Sequence, residues 1–357
     1  MQKKWLLIIS LVVILTLVTS RSQTAHSTST LSPQLTSGEI IGQLSGSAQA
    51  VAVEGNYAYV GFETELAIID ITDKAIPIEL GRLEIGELVR KIAKSGDYAY
   101  LATNTGLQIV GVADPINPQW VGIYEQELVT QVQIRGEYAF ILSRFGLDIL
   151  SVSESPDLIL VGQYEADIVT PLDLDLMGDY VFLLSGYPND HVIVVNVSNI
   201  EHPIEETLFD KYRFRRIDVA NSRFLTVNNA CSSICITFFD VWGIDYETWT
   251  LSHIGTHAVF PSWWSYGLIS NQFYAYVGKD IGLFVYNFYR QAGDGSPLQI
   301  DYFDIGDVRD IVAFDDYVYA ASVDREDYVH PPLEGGFFIL PAPPLFNAYF
   351  PLITRNE

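Results

Sequence analysis

The chain has 357 residues, 49% of them hydrophobic and 13% aromatic, ample apolar material for a large buried core. Its 44 acidic and 20 basic residues leave a net charge of −24. That field repels phosphate backbones and excludes nucleic acid and anionic membrane surfaces as natural partners, while cations, basic proteins and neutral ligands suit it better.

Lys3 and Lys4 precede an unbroken apolar run from Trp5 to Val18, followed by small polar residues through Ala25. This is the layout of a secretory signal peptide over residues 1–25, cut between Ser20 and Ala25, with an uncleaved N-terminal anchor as the alternative. Cleavage after Ala25 removes Lys3, Lys4 and Arg21, so the mature charge is −24 − 3 = −27. The expected location is outside the cell, secreted or at the cell surface, with no stable membrane span once the signal is gone. Residues 26–38, rich in Ser, Thr, Gln and Pro, read as a flexible leader.

From residue 39 to 344 one phrase recurs. Gly55-Asn56-Tyr57-Ala58-Tyr59-Val60 is followed by Leu66-Ala67-Ile68-Ile69-Asp70, and both return at Gly96-Asp97-Tyr98-Ala99-Tyr100-Leu101 and Leu107-Gln108-Ile109-Val110. Aligned on its tyrosine, the phrase falls at Tyr57, Tyr98, Tyr138, Tyr180, Arg223, Tyr274 and Tyr317, with steps of 41, 40, 42, 43, 51 and 43. A period near forty with four short strand signals per unit and no helical periodicity predicts a seven-bladed all-β propeller of four-stranded antiparallel blades. Apolar residues on both faces of the runs fit blades sandwiched between neighbours. Glu39-Ile40-Ile41-Gly42-Gln43-Leu44 matches a fourth strand, not a first. It is therefore expected to complete blade seven, whose own fourth strand is replaced by Pro341-Ala342-Pro343-Pro344, and so to close the ring. The tail, residues 345–357, lies outside the repeat and is expected to pack on the side of the propeller.

The third-strand phrases Leu66-Ala67-Ile68-Ile69-Asp70, Leu107-Gln108-Ile109-Val110-Gly111, Leu147-Asp148-Ile149-Leu150-Ser151 and Val192-Ile193-Val194-Val195-Asn196 resemble the LVIVD repeat of secreted and surface bacterial propellers. The Asp and Pro positions that follow in that family stand here as Asp70-Ile71-Thr72-Asp73 with Pro77, and as Asp114-Pro115 with Pro118. The resemblance is strongest in blades one to three and fades in five to seven. It implies a fold and a location, and brings no reaction with it.

In a propeller the loops between blades share one rim with the loops from second to third strand. The inserted loops fall there: Ser185 to His191 with Tyr187 and Asp190, the Cys231 to Cys235 loop, the stretch from His257 to Trp263 and Trp264, and Val323 to His330 with Asp324, Asp327 and Tyr328. Loops inserted on a rigid scaffold concentrate binding residues, and paired tryptophans beside carboxylates suit a sugar ring or a peptide. The competing reading has Trp263 and Trp264 capping the core. Counting seven back from each aligned position gives Ala50, Lys91, Gln131, Asp173, Arg216, Gly267 and Asp310, and the row before it Gln49, Arg90, Thr130, Leu172, Arg215, Tyr266 and Arg309. These start the innermost strands and should ring the channel mouth, where they hold a small polar ligand or merely pair with one another.

Cys231 and Cys235 read as a loop-closing disulfide, with a metal or redox pair as the sharper alternative. No cofactor is expected, although calcium at the acidic run Asp324-Arg325-Glu326-Asp327 suits an extracellular protein. The chain lacks HExxH, GxSxG and phosphate-loop signatures. The sequence therefore reads as a non-catalytic binding module for a protein, peptide or glycan at the cell surface. The rival is a hydrolase or lyase whose divalent ion is held by His191, His253, His257 or His330 with nearby carboxylates.

Overall fold

The computed structural model describes residues 38–343 apart from 154, 167, 189, 211–213, 221–222, 232–234, 260–264, 272, 292–295 and 325–332. They form seven four-stranded antiparallel sheets, and no described helix is long and apolar enough to cross a membrane. The innermost strands are Ala48–Glu54, Lys91–Ser95, Gln131–Arg135, Pro171–Met177, Phe214–Ala220, Ser265–Ser270 and Asp307–Phe314. Each contacts the next, and the seventh contacts the first, so the ring is closed. All seven aligned positions, from Tyr57 to Tyr317 and including Arg223, begin the second strand of their blades. The turn before that strand needs a left-handed residue: Gly55, Gly96, Gly136 and Gly178 supply it at φ of 53 to 61°, and Asp315 supplies it in blade seven at 53°.

Period-two alternation explains why the runs of blade one are apolar throughout. In blade one, Ala58, Val60, Ala67 and Ile69 face blade seven and pack against Tyr319, Ala321, Phe337 and Ile339. Tyr59, Leu66 and Ile68 face the other way, onto Val89, Ile92, Leu101 and Val110 of blade two. Each such side chain contributes about 1.5–3 kcal/mol on burial, and both faces do so at once. The seventh blade is ordered as expected: Gly42–Ser45 pairs antiparallel with Gly336–Pro341, with Leu44 opposite Phe337.

The aspartates after the third strand organise the next turn. Asp70 Oδ1 accepts the Thr72 amide at 2.8 Å, Asp73 Oδ1 accepts that of Ala75 at 3.0 Å, and Asp114 Oδ1 accepts that of Ile116 at 3.1 Å. These are Asx turns, a scaffold use of the carboxylate. They present backbone carbonyls to the outermost strand of the preceding blade. Gly42, Gly81 and Gly162 lie beneath them: a Cβ would collide with the Lys74, Pro115 and Ile200 carbonyl oxygens respectively. At Gly122 a Cβ would meet only Ile109 Cδ1 at 3.7 Å. Gly162→Ala is therefore expected to lose about 2–3 kcal/mol of stability and Gly122→Ala close to nothing. Urea unfolding of the two variants checks this; equal midpoints would remove the blade-to-blade contact from the account.

Two lengthened hairpins depart from the expected placement of insertions. In blade five the third and fourth strands run Cys235–Asp245 and Thr250–Val259, and in blade six the third strand runs Gly282–Gln291. Both extend the rim opposite the inserted loops, so that rim is not plain in this part of the ring.

Candidate binding site at the channel mouth

The inner edge of each innermost strand faces the channel and has no further strand to pair with. Amides on that edge need acceptors. Blades four and seven supply them from the aligned row. Asp310 Oδ2 accepts the Val51 amide of blade one at 3.0 Å, and Asp173 Oδ2 accepts the Ile217 amide of blade five at 3.0 Å. Asp310 Oδ1 also pairs with Lys91 Nζ at 2.5 Å. Asp173 is buried, which raises its proton affinity above the usual carboxylate range, with Arg216 opposing that shift.

Gln49, Arg90, Lys91, Thr130, Gln131, Leu172, Asp173, Arg216, Gly267, Arg309 and Asp310 line one cavity of about 280 Å³. Of the fourteen residues in the two counted rows, these eleven share one cavity lining, and Ala50 and Arg215 are not part of it. Leu88, Pro171, Leu268 and Ile311 complete its wall. Arg90 donates from Nε and Nη2 to Asn104 Oδ1 at 3.2 and 2.8 Å, and burial lowers its proton affinity. Gln131 Nε2 donates to the Leu172 carbonyl at 3.3 Å. Arg216 Nη1 donates to the Arg215 carbonyl at 2.7 Å, and Arg309 Nη2 pairs with Asp307 Oδ2 at 2.6 Å. Burial raises Asp307 to about 6 against the pull of Arg309.

One step deeper lies a second row that the counting by sevens passed over. Asp175 Oδ2 accepts the Val219 amide at 2.5 Å, and Asp218 Oδ2 accepts the Ser270 hydroxyl. Desolvation raises both carboxyls, Asp175 further through the charge of Asp218, and Asp218 reaches about 6. The signal was present as Asp173-Leu174-Asp175 and Ile217-Asp218-Val219.

A carboxyl held at about 6 in the fold and 3.8 when unfolded binds more protons in the native state between those values. Stability therefore falls as pH rises from about 4 to about 6. Asp218→Asn removes this slope. Its stability relative to the parent is expected to grow from near zero at pH 4 to about 2 kcal/mol at pH 7, below the full linkage value because Asp218 keeps a small opening to the channel. Urea titrations across that range test it; a difference independent of pH would contradict the assignment.

The rim candidates are less convergent. Tyr187 is 72% exposed, and its carbonyl accepts the Thr170 hydroxyl at 2.8 Å. Asp190 is half-buried, and His191 opens a strand opposite Asp210. His257 sits within the outermost strand of blade five with its ring 5.0 Å from that of Tyr286, at the contact with blade six. His253 was expected near the inserted rim, yet it lies toward the opposite end of the same strand, where Nε2 meets Thr256 Oγ1 at 2.8 Å and the ring stands edge-on to Trp242. Asp324 Oδ1 accepts the Gly335 amide at 2.8 Å. Trp263, Trp264, Asp327, Tyr328 and His330 lie outside the described residues, as do the signal, the leader up to residue 37 and the tail. Cys231 and Cys235 stand directly opposite each other as the last pair of their ladder. Among the described residues no three His, Cys, Asp or Glu side chains are grouped to hold a metal ion.

The fold is shared widely with solved structures. The crystal structure of Saccharomyces cerevisiae Sqt1 superposes with a TM-score of 0.59 at 11% identity, over 87% of this chain and 100% of that one. The N-terminal domain of Nup159 follows at 0.55 and 12% identity, over 85% and 94%. The computationally designed Ika8 protein gives 0.52 at 10% identity, over 85% and 98%. Such identities speak for the fold alone. No curated protein matches the sequence. The LVIVD repeat model matches residues 45–84, 88–126 and 129–166, which are blades one, two and three. Blades one to three therefore carry LVIVD repeats, within a chain that folds as a seven-bladed β-propeller.

Proposed function

We propose that the chain is a non-catalytic binding propeller, exported by its N-terminal signal, that takes its ligand at the channel mouth. The observation that carries this reading is the 280 Å³ cavity where charged and amide side chains from several blades converge above a wall of leucines. The closed ring supports it, because residues at the start of innermost strands are held by two neighbouring blades and change position little on binding. The exposed Tyr187 loop on the same rim is a second surface that a larger protein, peptide or glycan partner would meet after the mouth is engaged. Calcium at the Asp324 loop and a Cys231–Cys235 bridge belong to the same extracellular picture, and the opposed backbone positions of the two cysteines favour the bridge.

The test uses the purified protein on glycan, peptide and small-molecule panels, alongside Gln49→Trp, which fills the mouth. Targets retained by the parent and lost by Gln49→Trp, with thermal unfolding unchanged, are the expected result. Targets held equally by both proteins, or none held by the parent, would remove the channel mouth as the binding site. Elemental analysis of the same preparation decides the rival metal-dependent reading: one tightly held transition metal per chain would favour it.

A further inference from the structure

We infer that the ligand of the channel mouth is a small organic monocarboxylate, or the free carboxyl terminus of a peptide, held by the mouth's cationic side chains. This rests on the channel mouth being the binding site. The chain carries −24, yet the cavity lining holds four cations, Arg90, Lys91, Arg216 and Arg309, against two carboxylates, Asp173 and Asp310. The local sign is inverted.

The carboxylates are committed to the scaffold. Asp310 accepts from Lys91 and from the Val51 and Ile311 amides, and Asp173 accepts from the Leu174 and Ile217 amides. Little acceptor capacity remains on either for a cationic ligand. Arg90 stands differently. Among the described residues its bonds go to one neutral amide oxygen and to no carboxylate, its guanidinium is half-buried, and burial already works against its charge. Thr130 Oγ1, in the same lining, is buried and has no hydrogen-bond partner among the described residues. An anion at the mouth would give the guanidinium a charge-assisted, bidentate partner and the hydroxyl an acceptor.

Charge balance limits the anion. Counting Asp307, the partner of Arg309, the described lining sets four cations against three carboxylates. Phosphate dianions would overcompensate and meet the repulsive field of the whole chain. Leu88, Leu172 and Leu268 give the wall an apolar part that inorganic ions cannot use, and 280 Å³ admits on the order of ten non-hydrogen atoms.

Calorimetric titration compares butyrate and benzoate with their amides and with the corresponding amines, and a tripeptide with free or amidated C-terminus, against inorganic phosphate. The carboxylates are expected to bind, their amides at least about tenfold more weakly, and Arg90→Gln to lose about tenfold, with Arg90→Lys between the two. A preference for the tripeptide acid over butyrate and benzoate identifies a peptide terminus as the source; the reverse identifies a free acid. Amines, amides or phosphate binding better than carboxylates, with Gln49→Trp abolishing that binding, would overturn the inference while the mouth remained the site. Binding indifferent to Gln49→Trp, or none at all, would overturn both.

Discussion

Lys279→Met is expected to stabilise the propeller at neutral pH by about 2–5 kcal/mol. Lys279 ends the second strand of blade six, is fully buried, and among the described residues its Nζ has no hydrogen-bond partner. Its nearest compensation is the Phe284 ring, 4.8 Å from Nζ, with some help from the charge of Asp280. Desolvation pulls the amine from 10.5 down to about 7. The sign follows from proton counting. Between about 7 and 10.5 the unfolded chain holds a proton that the native state has shed, so parental stability rises with pH across that window. Below about 7 the native amine is charged in an apolar site and the full cost applies, several kcal/mol from the size of the shift. Methionine conserves the volume and carries no charge. Its advantage should be greatest at pH 6, shrink through pH 8 and 9, and nearly vanish at pH 10.5. Urea unfolding at four pH values measures this. A variant less stable than the parent at pH 6 would mean that the amine has compensation its burial conceals.

Lys279 also marks where the sequence falls silent. A lysine closing Tyr-Ala-Tyr-Val-Gly-Lys beside an aspartate looks like an ordinary solvated strand end, and its burial comes from packing that no local pattern records. The opposite holds for the aligned tyrosines: a run buried on both faces is apolar at most positions, so the phase is legible in all seven blades, even where Arg223 interrupts it. The channel mouth was legible too, because equal spacing from that tyrosine selects equal height in the ring. Asp175 and Asp218 needed only two more residues of counting. The glycines of the outermost strands, Gly42, Gly81, Gly122 and Gly162, repeat at nearly the same period, yet their purpose appears only when the next blade's carbonyls are seen above three of them. The histidines misled for a related reason. Spacing along the chain places them near a rim, but whether a ring faces solvent or a neighbouring blade, as His257 faces Tyr286, depends on which side of a twisted outer strand it occupies.

Removing the closing strand is the perturbation with the broadest consequence. A chain beginning at Ser47 loses the four-residue ladder of Gly42–Ser45 on Gly336–Pro341, the Ile41 amide bond to the Ile339 carbonyl at 2.9 Å, and Leu44 from the cluster between blades seven and one. Ladder hydrogen bonds at about 1 kcal/mol each and one aliphatic side chain amount to on the order of 5 kcal/mol, comparable to the whole stability of a small domain. The loss is not local. The bared edge of Gly336–Pro341 becomes a template for pairing with another chain, so concentration-dependent association is expected beside the lower unfolding midpoint. A peptide of residues 38–47 supplied in trans should restore both the midpoint and the monomer, since it carries the same ladder and the same leucine. The same peptide with Leu44 replaced by aspartate should restore neither. If the truncated chain unfolded at the parental midpoint, the ring would be held shut by contacts among the innermost strands alone. The N-terminal strand would then be an appendage, and the order of the seventh blade would carry no stability.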